Sequence, residues 1–288
     1  MAKDGGLWVI WHYLCRTFSG STCRSQVNIN EQIKTMNNDY IEIQDSYDRG
    51  AYVSSSVGSA ATTFSGIMSR VYLWMFAALL LTAGTAYVTA SSPALLQLIF
   101  GNSIAVWGLF ILELGLVMGV TAGINRLSPT AATALFLLYS VVNGLTLSVI
   151  FFAYELGTIY KAFAAAALTF GGMSLYGYTT KKDLSGLGGY LIMALIGLII
   201  ASVINIFWAN STLDAIITYV GVFIFVGLTA YDTQQIKKMS AAVETGSQMG
   251  YTDAAAPRRV AILGALTLYL DFINLFLYLL RLFGRSRD

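Results

Sequence analysis

Charge is scarce in this chain: only 11% of its 288 residues are Asp, Glu, Lys or Arg, while 56% are hydrophobic. Soluble domains carry about a quarter charged residues, so this composition, with mean hydropathy +0.66, indicates an integral membrane protein. Histidine is scarcer still. The single one, His12, lies in the N-terminal tail, which excludes a histidine-based triad, a histidine-rich metal site or a haem ligand set inside the membrane part. The two cysteines, Cys15 and Cys23, share that tail. They read as free thiols on the cytosolic side and give no disulfide framework. A net charge of +2 is too small to suggest a nucleic-acid partner.

What is present is a polar tail followed by long apolar runs. Residues 1–69 are rich in Ser, Asn, Asp and Gly and read as a flexible cytoplasmic tail. LWVIWHYL (7–14) is too short to span and no A-x-A site follows it, so a cleaved signal peptide is not expected. Met36 opens a more ordinary start, and the first 35 residues read as an upstream extension. From Val71 the apolar segments run 71–90, 102–124, 131–153, 159–179, 188–208, 213–236 and 259–283. Each is long enough for a transmembrane helix and none alternates like a barrel strand. The expected fold is therefore all-α, with seven spans joined by short loops. Frequent Gly, Ala and Ser within them suit helices that pack closely in lipid.

Lysine and arginine set the orientation. The loops after the second, fourth and sixth spans hold Arg126, Lys181, Lys182, Lys237, Lys238, Arg258 and Arg259; the other loops hold only Lys161. The even loops and the N-terminus are thus expected in the cytoplasm. Arg281, Arg285 and Arg287 conflict with that rule if the last segment crosses. ALTLYLDFINLFLYLLRLFG is long enough for a full crossing, and that is the reading preferred over a re-entrant segment.

Ionisable groups inside apolar spans are rare and usually functional. Here they are Glu113 in LFILELGLVMG, Asp232 in GLTAYDTQQIKKM and Asp271 in LYLDFINLF. Asn143 and Asn205 are uncharged candidates for lining a pore with Glu113. Asp271 stands twelve residues after Arg259, about 18 Å along a helix and so near mid-membrane. Asp232 precedes Lys237 by five residues and sits shallower. If both helices overrun the bilayer surface, the antiparallel sixth and seventh spans bring the two carboxylates into contact range. Such a pair titrates as a unit, sharing one proton when it has one and attracting a cation or basic side chain when it has none. It is a pH switch without histidine. Arg126 is the candidate latch on Asp232. The structural alternative is that each aspartate only bonds neighbouring Asn, Tyr or backbone groups. The matching alternative for Arg126 is a topology signal, and for Glu113 a protonated or lipid-adjacent side chain.

GLTAYDTQQIKKM and LYLDFINLFLYLLRLFG together resemble the paired signatures of the Bax inhibitor family, over the chain from about Arg70 onward. The resemblance implies seven helices with the last enclosed by the other six. It also implies a pH-sensitive calcium leak gated by an aspartate pair, here Asp232 and Asp271, with Arg126 matching the latch by position only. Calcium would be a transient, permeant ion held by oxygen ligands, and no cofactor or enzymatic activity is expected. The long tail and the loop from Ser240 to Arg258 depart from the shortest members. An interaction protein acting on a membrane protease or on stress and cell-death partners is the first alternative, and a proton-coupled cation exchanger the second. An intramembrane aspartyl protease is disfavoured, because Asp271 lacks a G-x-G-D context and the only P-A-L (93–95) follows the first span. A retinal protein would need a lysine in the last span, and 260–283 has none. The bacterial plasma membrane is the expected location, with an endoplasmic reticulum or Golgi membrane as the eukaryotic equivalent.

Overall fold

The computed structural model describes residues 50–124, 127–244 and 255–285, with side chains from 66 onward except at 244 and 285. All regular structure among them is helical: α1 Gly50–Ser91, α2 Pro93–Phe100, α3 Ser103–Gly123, α4 Pro129–Leu147, α5 Ile150–Ala153, α6 Leu156–Thr179, α7 Ser185–Trp208, α8 Ser211–Glu244 and α9 Ala256–Arg285. Among the described residues six stretches are long and apolar enough to cross a membrane: Gly66–Ser91, Ser103–Gly123, Pro129–Ala153, Ser185–Trp208, Ser211–Val243 and Ala256–Gly284. The expected span at 159–179 coincides with α6, whose 24 residues suffice in length. Lys161, Gly171, Gly172, Ser174 and three tyrosines dilute its apolar character, which is why it is not among the six.

Two departures from the sequence expectation have local causes. Residues 50–69, read as part of a polar tail, continue α1 upstream, since their Ala- and Ser-rich run contains no proline to stop it. The remainder of the expected tail lies outside the described residues. The loop after the first span contains α2, PALLQLIF, which starts with proline at its first turn and buries none of its residues. An apolar helix this short cannot span and suits the membrane interface.

The last helix is the most buried. Over its most apolar 18 residues 83% are inside the protein, against 17–56% over the corresponding stretches of the other five. Apart from Asp271 and Asn274 its middle is predominantly apolar, which suits a helix that buries most of its surface in the protein. It packs against α8, α1, α6 and α4. Phe163 and Phe170 of α6 meet Phe272 edge-to-face at 5.5 and 5.6 Å. Phe136 and Tyr139 of α4 both meet the Tyr269 ring at 5.8 Å. Because lipid is as apolar as leucine, these contacts gain their energy from close packing and aromatic geometry. Close approach is visible at Gly177 of α6, where an added Cβ would lie 2.2 Å from the Ala230 carbonyl oxygen of α8.

Candidate functional site

Helices α8 and α9 are longer than a bilayer needs. At 34 and 30 residues they measure about 51 and 45 Å, against a hydrocarbon core of about 30 Å. Their overrun lets residues at different nominal depths meet. Two contacts fix the antiparallel register: Phe225 stacks on Tyr278 with ring centroids 5.8 Å apart, and Ile236 reaches Gly264, where an added Cβ would lie 3.0 Å from its side chain. Asp232 follows Phe225 by seven residues, and Asp271 precedes Tyr278 by seven. Seven residues are almost two full turns. Asp232 therefore lies on the helix face that carries Phe225, and Asp271 on the face that carries Tyr278. The register thus places both carboxylates at one level on facing sides of the α8–α9 contact. Asp271 is fully buried and Asp232 is 8% exposed.

One turn beyond Asp232, side chains of α8 fasten the α6–α7 loop. Gln234 accepts from the Leu184 amide at 2.8 Å and donates to the Lys182 carbonyl at 2.7 Å. Lys237 donates to the Tyr178 carbonyl at 2.7 Å and sits over that ring. Lys238 donates to Asp183 at 2.6 Å and to the Ser185 hydroxyl at 2.8 Å. The Lys238 hydrogen bond, helped by Ser185, holds the Asp183 carboxyl below the ordinary carboxylate range. These partners are 50–59 residues apart in sequence. Only the lysines drew attention in the sequence, as topology signals.

A second buried polar group lies between α1, α3, α4 and α9. Glu113 is fully buried and hydrogen-bonds the Thr146 hydroxyl, so it faces the protein interior and not lipid. Asn143, also fully buried, donates to the Tyr139 hydroxyl at 3.2 Å. Thr82 has one proton, which it gives to the Ser140 carbonyl at 2.9 Å. The 2.7 Å contact with Tyr269 must then be donated by tyrosine. Asn205 is not brought to either group. It sits at the end of α7, where its side chain accepts from the Asn210 amide at 3.0 Å and its carbonyl accepts from Ala209, a residue at φ 48°. It closes a turn. Arg126, the expected latch, lies outside the described residues.

At the opposite end of α8 from Lys237, Arg281 lies 3.5 Å from Asp214. Helix α9 runs unbroken from Ala256 to Arg285, so the last segment passes from one end of α8 to the other. A re-entrant geometry would break it midway. Tyr154 packs here against Gly284. Burial pushes its hydroxyl pKa up, partly countered by the positive charge of Arg281 and reinforced by Asp214.

Residues 65–288 match the family described as Inhibitor of apoptosis-promoting Bax1. The chain is 49% identical to the Inner membrane protein YbhL of Escherichia coli over 234 residues, which cover 81% of this chain and 97% of that protein. It is 45% identical over 221 residues to an uncharacterized protein of Borreliella burgdorferi, covering 77% of this chain and 92% of that one. An uncharacterized protein of Deinococcus radiodurans is 42% identical over 221 residues, covering 77% and 90%. The match takes in both elements, GLTAYDTQQIKKM and LYLDFINLFLYLLRLFG, that bear the two facing aspartates. The chain is a multi-pass membrane protein that belongs to the Bax inhibitor family.

Proposed function

We propose that this protein is a pH-sensitive calcium leak of a bacterial plasma membrane, gated by Asp232 and Asp271. The supporting observation is the α8–α9 register, which sets the two buried carboxylates at one level on facing sides. In this reading seven helices cross the membrane, α6 included, with the last enclosed by the other six and the N-terminus in the cytoplasm. With a shared proton the pair holds α8 and α9 together. Without it, two negative charges at one level repel each other and attract a cation. Calcium suits such a site because it takes oxygen ligands, and two carboxylates with carbonyls and water bind it weakly enough to release it. Arg126 would compete for Asp232 from the cytoplasmic side. Glu113 and Asn143 are the polar side chains available deeper in the bundle.

The test is calcium entry into proteoliposomes containing a calcium dye, followed from pH 6 to 8. A leak that changes with pH and runs only down the calcium gradient supports the proposal. Flux equal to empty liposomes at every pH contradicts it and favours an interaction protein. Calcium driven against its gradient by an imposed pH difference contradicts it in favour of an exchanger.

A further inference from the structure

Helices α1 and α6 do not close against each other along their whole length. Between them runs a groove of about 540 Å³, walled by Met68, Met75, Phe170 and Leu175, with Gly171 contributing no side chain. Nothing lies within 4 Å of where a Gly171 Cβ would be. The floor is polar. Thr233 donates to the Thr229 carbonyl at 2.8 Å, so Ser174 must donate to Thr233 at 3.1 Å and Tyr72 to Ser174 at 2.6 Å. This relay ends on the neighbour of Asp232.

One end of the groove leads to a basic loop. Tyr178 and Met68 mark that end. Exposed Lys181 and Lys182 follow Tyr178 within four residues. From Met68 to Met75 the groove covers seven residues of α1, about 10 Å. That is a third of what a crossing helix needs, so a second transmembrane helix would leave most of its length unsupported. An acyl chain has no such requirement, and inside a bilayer no water is available to fill an apolar trough.

We propose that this groove binds one acyl chain of an anionic phospholipid, whose phosphate lies at Lys181 and Lys182. The site follows from the spans and the groove and does not depend on calcium conduction. Each basic residue near a membrane surface contributes about fivefold in affinity for an anionic headgroup. The hydroxyl relay beneath the chain links its occupancy to α8.

The experiment is native mass spectrometry of the full-length protein in detergent, with phosphatidylglycerol and phosphatidylcholine of identical chains as probes. Four forms are compared: wild type, Gly171→Trp, Gly172→Trp, and the double variant Lys181→Ser with Lys182→Ser. A Gly172 Cβ also meets open space, but that residue does not line the groove, so it controls for the added bulk. Wild type should retain one phosphatidylglycerol in preference to phosphatidylcholine. Gly171→Trp should lower retention at least tenfold and Gly172→Trp should leave it unchanged. The double lysine variant should lower phosphatidylglycerol affinity about twenty-five-fold, and its exposed positions keep the test valid should Gly171→Trp misfold. Equal retention of both lipids, or wild-type binding by Gly171→Trp, overturns the proposal. So does a wild-type dimer free of lipid that Gly171→Trp dissociates, which would assign the groove to a second copy.

Discussion

Substitution of Gly177 by alanine adds one methyl where α6 and α8 touch. Its Cβ would stand 2.2 Å from the Ala230 carbonyl oxygen and 2.9 Å from the Ala230 carbonyl carbon and Cα. All three atoms are backbone, so no rotamer change relieves the clash. Ordinary contact begins at 3.4 Å, so the helices must part by about 1.2 Å, the difference of the two distances. Overpacking of that kind costs about 1–3 kcal/mol. For a protein of this size it lowers the melting temperature by roughly 2–4 °C per kcal/mol. Gly172→Ala is the matched control, five residues away on the same helix with open space around its Cβ. It removes a helix-weakening glycine worth up to about 1 kcal/mol, so it should melt at or above wild type. The assay is thermal unfolding of both variants in one detergent. Gly177→Ala melting with Gly172→Ala would refute the close α6–α8 approach. Ala230 is two residues from Asp232, so Gly177→Ala should also alter the pH dependence of calcium entry.

Three further outcomes follow from the polar contacts. Thr82→Val removes the bridge between Tyr269 and the Ser140 carbonyl and should cost about 1–2 kcal/mol; combining it with Tyr269→Phe should cost less than the two singles together, as a double-mutant cycle by unfolding would read. Asp183 is held below its usual range by Lys238. Its contribution is therefore complete above the unfolded carboxylate value and fades as pH falls below that toward the lowered folded value, so the melting difference between wild type and Asp183→Asn should be present at pH 7 and begin to shrink toward pH 3. Asp214→Asn breaks a partly exposed pair with Arg281 and should cost no more than about 1 kcal/mol, with a smaller difference in high salt.

The spans were legible because apolar length is a direct physical requirement of the bilayer. The expected 102–124 and 188–208 fall on Ser103–Gly123 and Ser185–Trp208. Span ends were less legible. Helix α8 continues to Glu244 through QQIKKMSAAVE, where polar residues bond the α6–α7 loop and need no lipid. Contacts such as Gln234 with Leu184 depend on which helices are neighbours, and no local pattern in the sequence carries that. Asn205 shows the same limit: an amide near the end of an apolar run reads as pore-lining or turn-closing until its partner, Asn210, is in view. Asp232 and Asp271 were the opposite case. Their chemistry is costly in lipid, so they stood out as residues, and the contacts Phe225–Tyr278 and Ile236–Gly264 were needed only to set them at one level.

The most direct measurement of the central claim is the pH profile of calcium leak in proteoliposomes for wild type, Asp232→Asn, Asp271→Asn and the double variant. Two carboxylates acting as one titrating unit predict that either single substitution flattens the profile and that the double adds nothing further. A profile that keeps its wild-type pH dependence in either single variant would contradict the gate.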